Sequence, residues 1–134
     1  MLKNPEYGWC EFLLFDFYGT PSYLTNVPVD LLRAFVDYFK RGTGIAWFDE
    51  EDSQFTLIMN PYSLFIIFEG DKVVTYDLSW MDPKKLAQEL IEDITNDFDK
   101  WSEWTNDMCE NTIIKNKKYI NFLIAELKDL IQKK

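Results

Sequence analysis

The 134-residue sequence predicts an α+β fold, one domain over residues 1–134. It would hold a mostly antiparallel sheet of about five strands, in the chain order β-α-β-β-β-β-α-α, packed by a C-terminal helix pair. Three observations carry that expectation. Residues 54–80, QFTLIMNPYSLFIIFEGDKVVTYDLSW, read as three consecutive strands. Asp82-Pro83 follows at once, an N-cap residue and a first-turn proline that together start a helix. The strands are grouped ahead of the last helices rather than alternating with them, which favours antiparallel pairing.

Taken in order, residues 1–7 read as a frayed lead-in. Residues 8–18, GWCEFLLFDFY, form a first strand, rich in Trp, Phe and Leu and interrupted by Glu11 and Asp16. Residues 19–22 (GTPS) turn, and 23–27 are extended or irregular. Pro28 suits a first helical position, and Asp30 suits the positive amino end of a helix over 29–41. Leu32, Phe35, Val36 and Phe39 share one face of that helix, and Gly42 is placed to end it after Lys40 and Arg41. Residues 44–50 make a second strand, and Asp49-Glu50-Glu51-Asp52-Ser53 an acidic loop. In 55–60, Phe55, Leu57 and Met59 alternate with Thr56, Ile58 and Asn60.

Asn60-Pro61 is a turn, since proline offers no ladder donor. Residues 63–68 are apolar on both parities, as a central strand covered on both faces would be. Glu69-Gly70-Asp71-Lys72 supplies a hairpin with Gly70 free to take positive φ, and 73–78 returns. From 82 to about 109, Leu86, Leu90, Ile91, Ile94, Phe98, Trp101 and Met108 keep one helical period. Glu89, Glu92, Asp93, Asp97, Asp99, Glu103 and Asp107 lie opposite. A last helix runs from about 113 or 115 to 131. Ile113, Ile120, Leu123, Ile124, Leu127, Leu130 and Ile131 point inward, and Lys115, Lys117, Lys118 and Lys128 outward. An antiparallel hairpin of the acidic helix with the lysine-rich one is the expected lid.

Composition narrows the class. A hydrophobic share of 47% and an aromatic share of 17% predict a packed globule rather than a disordered chain. No basic segment followed by an apolar run opens the sequence, and no apolar run approaches a bilayer's thickness, so a soluble cytoplasmic protein is expected. Cys10 and Cys109 stand far apart in no metal-like spacing and are expected to be reduced thiols. Charge is the outlier, at −9 with a pI near 4.4. Residues 1–110 carry 21 acidic and 8 basic side chains, a net of −13, whereas 111–134 carry 2 acidic and 6 basic, a net of +4. Such a field repels nucleic acid and anionic membrane and steers a basic partner inward.

Histidine is absent, which removes Ser-His-Asp and Cys-His pairs, HExxH zinc sites and imidazole bases. The Asp49–Asp52 run fails the calcium-loop pattern, with Gln54 at its sixth position and Asn60 at its twelfth. Glu89, Asp93 and Asp97 share a helix face but stand in its wet side, unlike an acid–base pair facing across a cleft. Arg41-Gly42-Thr43-Gly44 follows a helix instead of preceding one and lacks the phosphate-loop Lys-Ser/Thr ending. Lys115-Asn116-Lys117-Lys118-Tyr119 is a lone basic cluster on an acidic chain, better matched to the acidic helix than to nucleic acid. Trp9, Trp47 and Trp101 are expected in the core. Trp104 and Trp80 are expected at its edges, where large rings can anchor an interface.

No catalytic residue, cofactor or metal is therefore expected. The leading expectation is a binding protein that neutralises a basic protein partner, with no direct nucleic acid and no membrane contact. Its profile is similar to that of an immunity protein blocking a bacterial, nuclease-type toxin; the similarity covers no motif. Asp49, Glu50, Glu51, Asp52, Glu89, Asp93, Asp97 and Glu103 would steer and pair, with Trp104 and Trp80 as anchors. Two other classes stay open. One is an acidic, viral-type inhibitor mimicking nucleic acid; the other is a small-ligand binder or enzyme with an aromatic pocket between sheet and helices.

Overall fold

A computed structural model describes residues 1–104 and 109–133. Strands β1 (Leu2–Glu6), β2 (Trp9–Leu14) and β3 (Phe17–Gly19) precede helix α1 (Val27–Arg41). Strands β4 (Gly44–Asp49), β5 (Gln54–Asn60), β6 (Ser63–Glu69) and β7 (Val73–Asp77) follow. Helices α2 (Pro83–Asn96), α3 (Phe98–Ser102) and α4 (Glu110–Gln132) complete the chain. The fold is α+β, but with two antiparallel sheets, β1-β2-β3 and β4-β5-β6-β7, in place of one.

The extra sheet comes from the amino end. Residues 2–6 are strand β1, paired to β2 through Leu2↔Phe12, rather than a frayed lead-in. The segment 8–18 is not one strand: it turns at Phe15-Asp16, with Phe15 at φ 55°, and returns as β3. Neither hairpin carries the usual Asn-Gly signal. Tyr7-Gly8 turns with both φ values positive, and an aromatic takes the other left-handed position, so the turns were hidden from residue preferences.

α1 ends as its sequence demands, Gly42 adopting φ 89° and donating its N–H to the Tyr38 carbonyl. The Asp82 carboxylate caps α2 by accepting from Lys84 N–H at 3.0 Å. The expected helix from 82 to 109 breaks at Asp97 (φ −132°, ψ 39°), where Thr95-Asn96-Asp97 puts three poor helix formers in a row. Met108 and Asp107, assigned to that helix, lie outside the described residues. Gly70 does not take positive φ; its missing Cβ instead leaves room for the Phe68 ring.

The inner face of the four-stranded sheet presents Ala46, Phe48, Phe55, Leu57, Met59, Leu64 and Ile66, all buried. Two layers share it. α1 lies over β4 and β5, so closely that the Ala34 carbonyl occupies the place a Cβ on Gly44 would need. β2 and β3 cover the rest through rings: Phe12 meets Phe48 and Phe55, and Phe17 meets Phe55 and Tyr76, at centroid separations of 4.9–6.1 Å. Phe12, Phe48 and Phe55, fully buried, each contribute roughly 1.5–3 kcal/mol of hydrophobic stabilisation. α4 packs chiefly on the far side of α1 rather than on acidic α2, joined there by Lys40–Glu126 at 2.9 Å. The lysine-rich and acidic helices are therefore not the expected two-helix lid.

Candidate functional site

The strand parity that buries one face of β4–β7 turns the other outward. Cross-strand register lays three rows over it: Ile45–Ile58–Phe65–Asp77, Trp47–Thr56–Ile67–Thr75, and Asp49–Gln54–Glu69–Val73. α1 and the small sheet both sit on the inner side, and Ile45 is left 59% exposed, Trp47 45% and Val73 69%. Ile58, Phe65 and Ile67 are half-buried between them. Ile45, Trp47, Ile58, Phe65 and Ile67 thus form a contiguous apolar patch over the middle of an open sheet face, with Val73 in the end row, a feature that marks an interaction surface more often than a bare surface leucine does.

Carboxylates edge that patch. At one end the 50–53 loop and the 70–72 turn lie side by side, because Gln54 pairs with Glu69. Glu51, Asp52, Glu69 and Asp71 are exposed there, with Lys72 beside them. The Trp47 indole N–H donates to Gln54 Oε1 at 3.0 Å and the Gln54 amide donates to Glu69 Oε1 at 3.2 Å, tying the tryptophan to the acidic row. At the opposite corner Asp77 Oδ1 accepts from Ser79 Oγ at 2.6 Å and from Ser79 N–H at 3.0 Å. Those hydrogen bonds hold the Asp77 carboxyl below the usual range, so it is an anion at neutral pH. An apolar centre with an anionic rim has the anatomy of a protein–protein contact surface and suits a partner with Lys or Arg at its own rim.

The residues expected from sequence are not brought together. Asp49 accepts from Ser22 Oγ and Glu51 N–H, and Glu50 accepts from Thr20 N–H at 2.6 Å and Ser53 Oγ at 2.8 Å, so both bind the acidic loop to the end of β3. Asp93 serves the fold at the other edge of the small sheet: its Oδ2 lies 2.7 Å from the Met1 ammonium and accepts from Leu2 N–H at 3.1 Å. Glu89 stands 3.6 Å from the same ammonium. Glu51, Asp52, Asp97 and Glu103 are exposed, without a side-chain hydrogen bond or ion pair among the described residues, but only the first two adjoin the open sheet face.

The tryptophans change places. Trp104 is 4% exposed, stacks near Trp101 and donates Nε1–H to the Thr25 carbonyl at 3.0 Å, so it presents no anchor. Trp101 is buried as expected. Trp9 and Trp47, expected in the core, are exposed, because β2 and β4 turn those positions away from it. Trp80 is 64% exposed and packs edge-on against Phe15 at 4.8 Å.

Sequence reasoning missed Ile45, Trp47, Ile58, Phe65 and Ile67 as site residues. Their signal was the double apolar parity of residues 63–68, which an open, sticky face produces as readily as a strand covered twice. The Phe12, Phe17, Phe48 and Phe55 rings fill the space between the two sheets, and α1 buries Leu31, Leu32 and Phe35. No cluster of potential metal ligands occurs among the described residues, and no described helix is long and apolar enough to cross a membrane. No family model, curated protein or solved structure matches the chain.

Proposed function

We propose that this chain is a binding protein that neutralises a basic protein partner, in the manner of an immunity protein occupying a nuclease-type toxin. The observation that supports the reading is the open face of β4–β7, apolar at its centre and anionic at its rim. In this mechanism the carboxylates of Glu51, Asp52, Glu69 and Asp77 steer Lys and Arg of the partner into place. Trp47, Ile45 and Phe65 then lose water against its apolar surface. Steering sets the rate of approach, and the desolvated rings and aliphatic groups set residence time. A mimic of nucleic acid would instead need carboxylates spread across the face in place of these five apolar residues.

The test is capture of cellular proteins on immobilised wild type, on Ile45→Lys/Phe65→Lys, and on Glu89→Gln/Asp97→Asn/Glu103→Gln, with bound proteins identified by mass. One basic protein, held by the wild type and the helix variant and released by the sheet variant, is the expected result. Equal capture by all three would sink the assignment of the face. Capture of acidic proteins, or of nucleic acid, would sink the partner class.

A further inference from the structure

The open sheet has two edges, and they differ. On the β4 side the Asp49 carbonyl accepts the Ser22 N–H at 2.8 Å, and α1 lies over the strand. On the β7 side the ladder to β6 is bracketed by Leu78 N–H to Leu64 O at 2.8 Å and Gly70 N–H to Lys72 O at 3.2 Å. Antiparallel pairs alternate between hydrogen-bonded and non-bonded, so Val74 and Tyr76 exchange their bonds with β6. Val73, Thr75 and Asp77 therefore turn their N–H and C=O groups away from the sheet. Folded proteins usually blunt such an edge with a bulge, a proline or a lysine within the strand. β7 has none of these: its register with β6 runs unbroken from Asp77 to Val73, and its sequence is VVTYD.

We infer that β7 is a strand-addition site for an extended, basic segment of a partner protein, a claim that rests on the partner class proposed above. An open edge is recognised by the backbone of another strand, which supplies the missing donors and acceptors. The charge chooses which strand. Asp77 ends β7, Glu69 lies opposite Val73, and Asp71 precedes the strand beside the single cation Lys72, whereas two copies of a chain of net −9 would bring like charges together. A strand added here also continues the three outward rows, since Val73, Thr75 and Asp77 are their last members. The new strand and the apolar patch would form one interface.

The test is an amide-exchange and titration experiment by NMR, at low salt, with three ten-residue peptides. One alternates Lys and Val, one is the same peptide N-methylated at every second residue, and one alternates Glu and Val. The Lys-Val peptide should slow exchange at Val73, Thr75 and Asp77 by more than tenfold, and the other two should bind at least tenfold more weakly. Thr75→Pro removes one outward N–H while leaving the β6 bonds of Val74 and Tyr76, and should lose the binding that Thr75→Val keeps. Should Thr75→Pro disturb exchange at Ile66 or Phe68, the β6 partners of Tyr76 and Val74, the methylated peptide decides alone. Equal binding of the methylated peptide overturns the inference, and so does protection of the same three amides by self-association. If Ile45→Lys releases the captured partner and Thr75→Pro does not, strand addition fails and the binding reading stands. If neither variant releases it, the binding reading itself has failed.

Discussion

Gly44→Ala tests the packing that decides which face of the sheet stays open. Two effects oppose each other at this position. Gly44 has an ordinary negative φ, so alanine would be tolerated by the backbone and would gain about 0.4–1 kcal/mol by restricting the unfolded chain. Against that, the added Cβ would coincide with the Ala34 carbonyl, and the obstacle is helix backbone rather than a flexible side-chain tip. Relief requires α1 to move off the sheet, and α1 carries Leu31, Leu32 and Phe35, each fully buried. Overpacking of this kind costs typically about 1–3 kcal/mol and occasionally more; with a whole helix displaced, the upper part of that range should apply. The net expectation is a loss of about 2 kcal/mol, which at an m of about 2 kcal/mol/M lowers the urea midpoint by about 1 M. Equilibrium unfolding followed by circular dichroism reads it. An unchanged or raised midpoint would refute the close approach of α1 and with it the assignment of inner and outer faces.

Other expectations follow from single contacts. Trp104→Phe should cost about 1–3 kcal/mol in the same assay, because the Thr25 carbonyl loses its donor in a buried site; partner affinity should not change, whereas an anchor would show the reverse. Burial raises the carboxyl pKa of Asp30, with Arg33 opposing it, so the folded state holds that proton more tightly than the unfolded chain. The charged form then lowers stability above the raised pKa, and Asp30→Asn should be more stable than wild type at pH 7, with the advantage vanishing as pH falls below the ordinary carboxylate range. A less stable variant at pH 7 would show that the helix amino end, not burial, dominates at Asp30. Cys10 is buried and its thiol is pushed up by burial and by Glu11, so thiol reagents should leave it unmodified in the native protein and reach it on unfolding.

Much of the secondary structure was legible because local chemistry and burial agreed. Asp82-Pro83 and Gly42 fixed helix ends whatever lay around them, and the alternation of Phe55, Leu57 and Met59 matched the buried parity of β5. The second sheet was not legible. Its two hairpins turn on Tyr7 and Phe15 in left-handed conformations that aromatic residues seldom adopt, and both side chains stand exposed, so neither residue preference nor burial marks the turns. The open sheet face was misread for a related reason. Periodicity reports which side chains share a face, never whether another element covers that face, so Phe65, Ile67 and Trp47 read as core. The acidic helix face drew attention by its charge, yet its Asp93 is committed to the amino terminus inside the fold.

The most direct measurement is the affinity of the captured partner for Trp47→Ala, for Ile45→Lys and for the Glu89→Gln/Asp97→Asn/Glu103→Gln variant, by calorimetry at two salt concentrations. Loss of a central interface ring costs about 2 kcal/mol or more, so Trp47→Ala should weaken binding by about 30-fold or more with the fold intact. Ile45→Lys should do the same, and the helix variant should bind as wild type does. Undiminished affinity in both sheet variants, with loss in the helix variant, would move the contact to the acidic α2–α3 segment and contradict the outer face of β4–β7 as the binding surface.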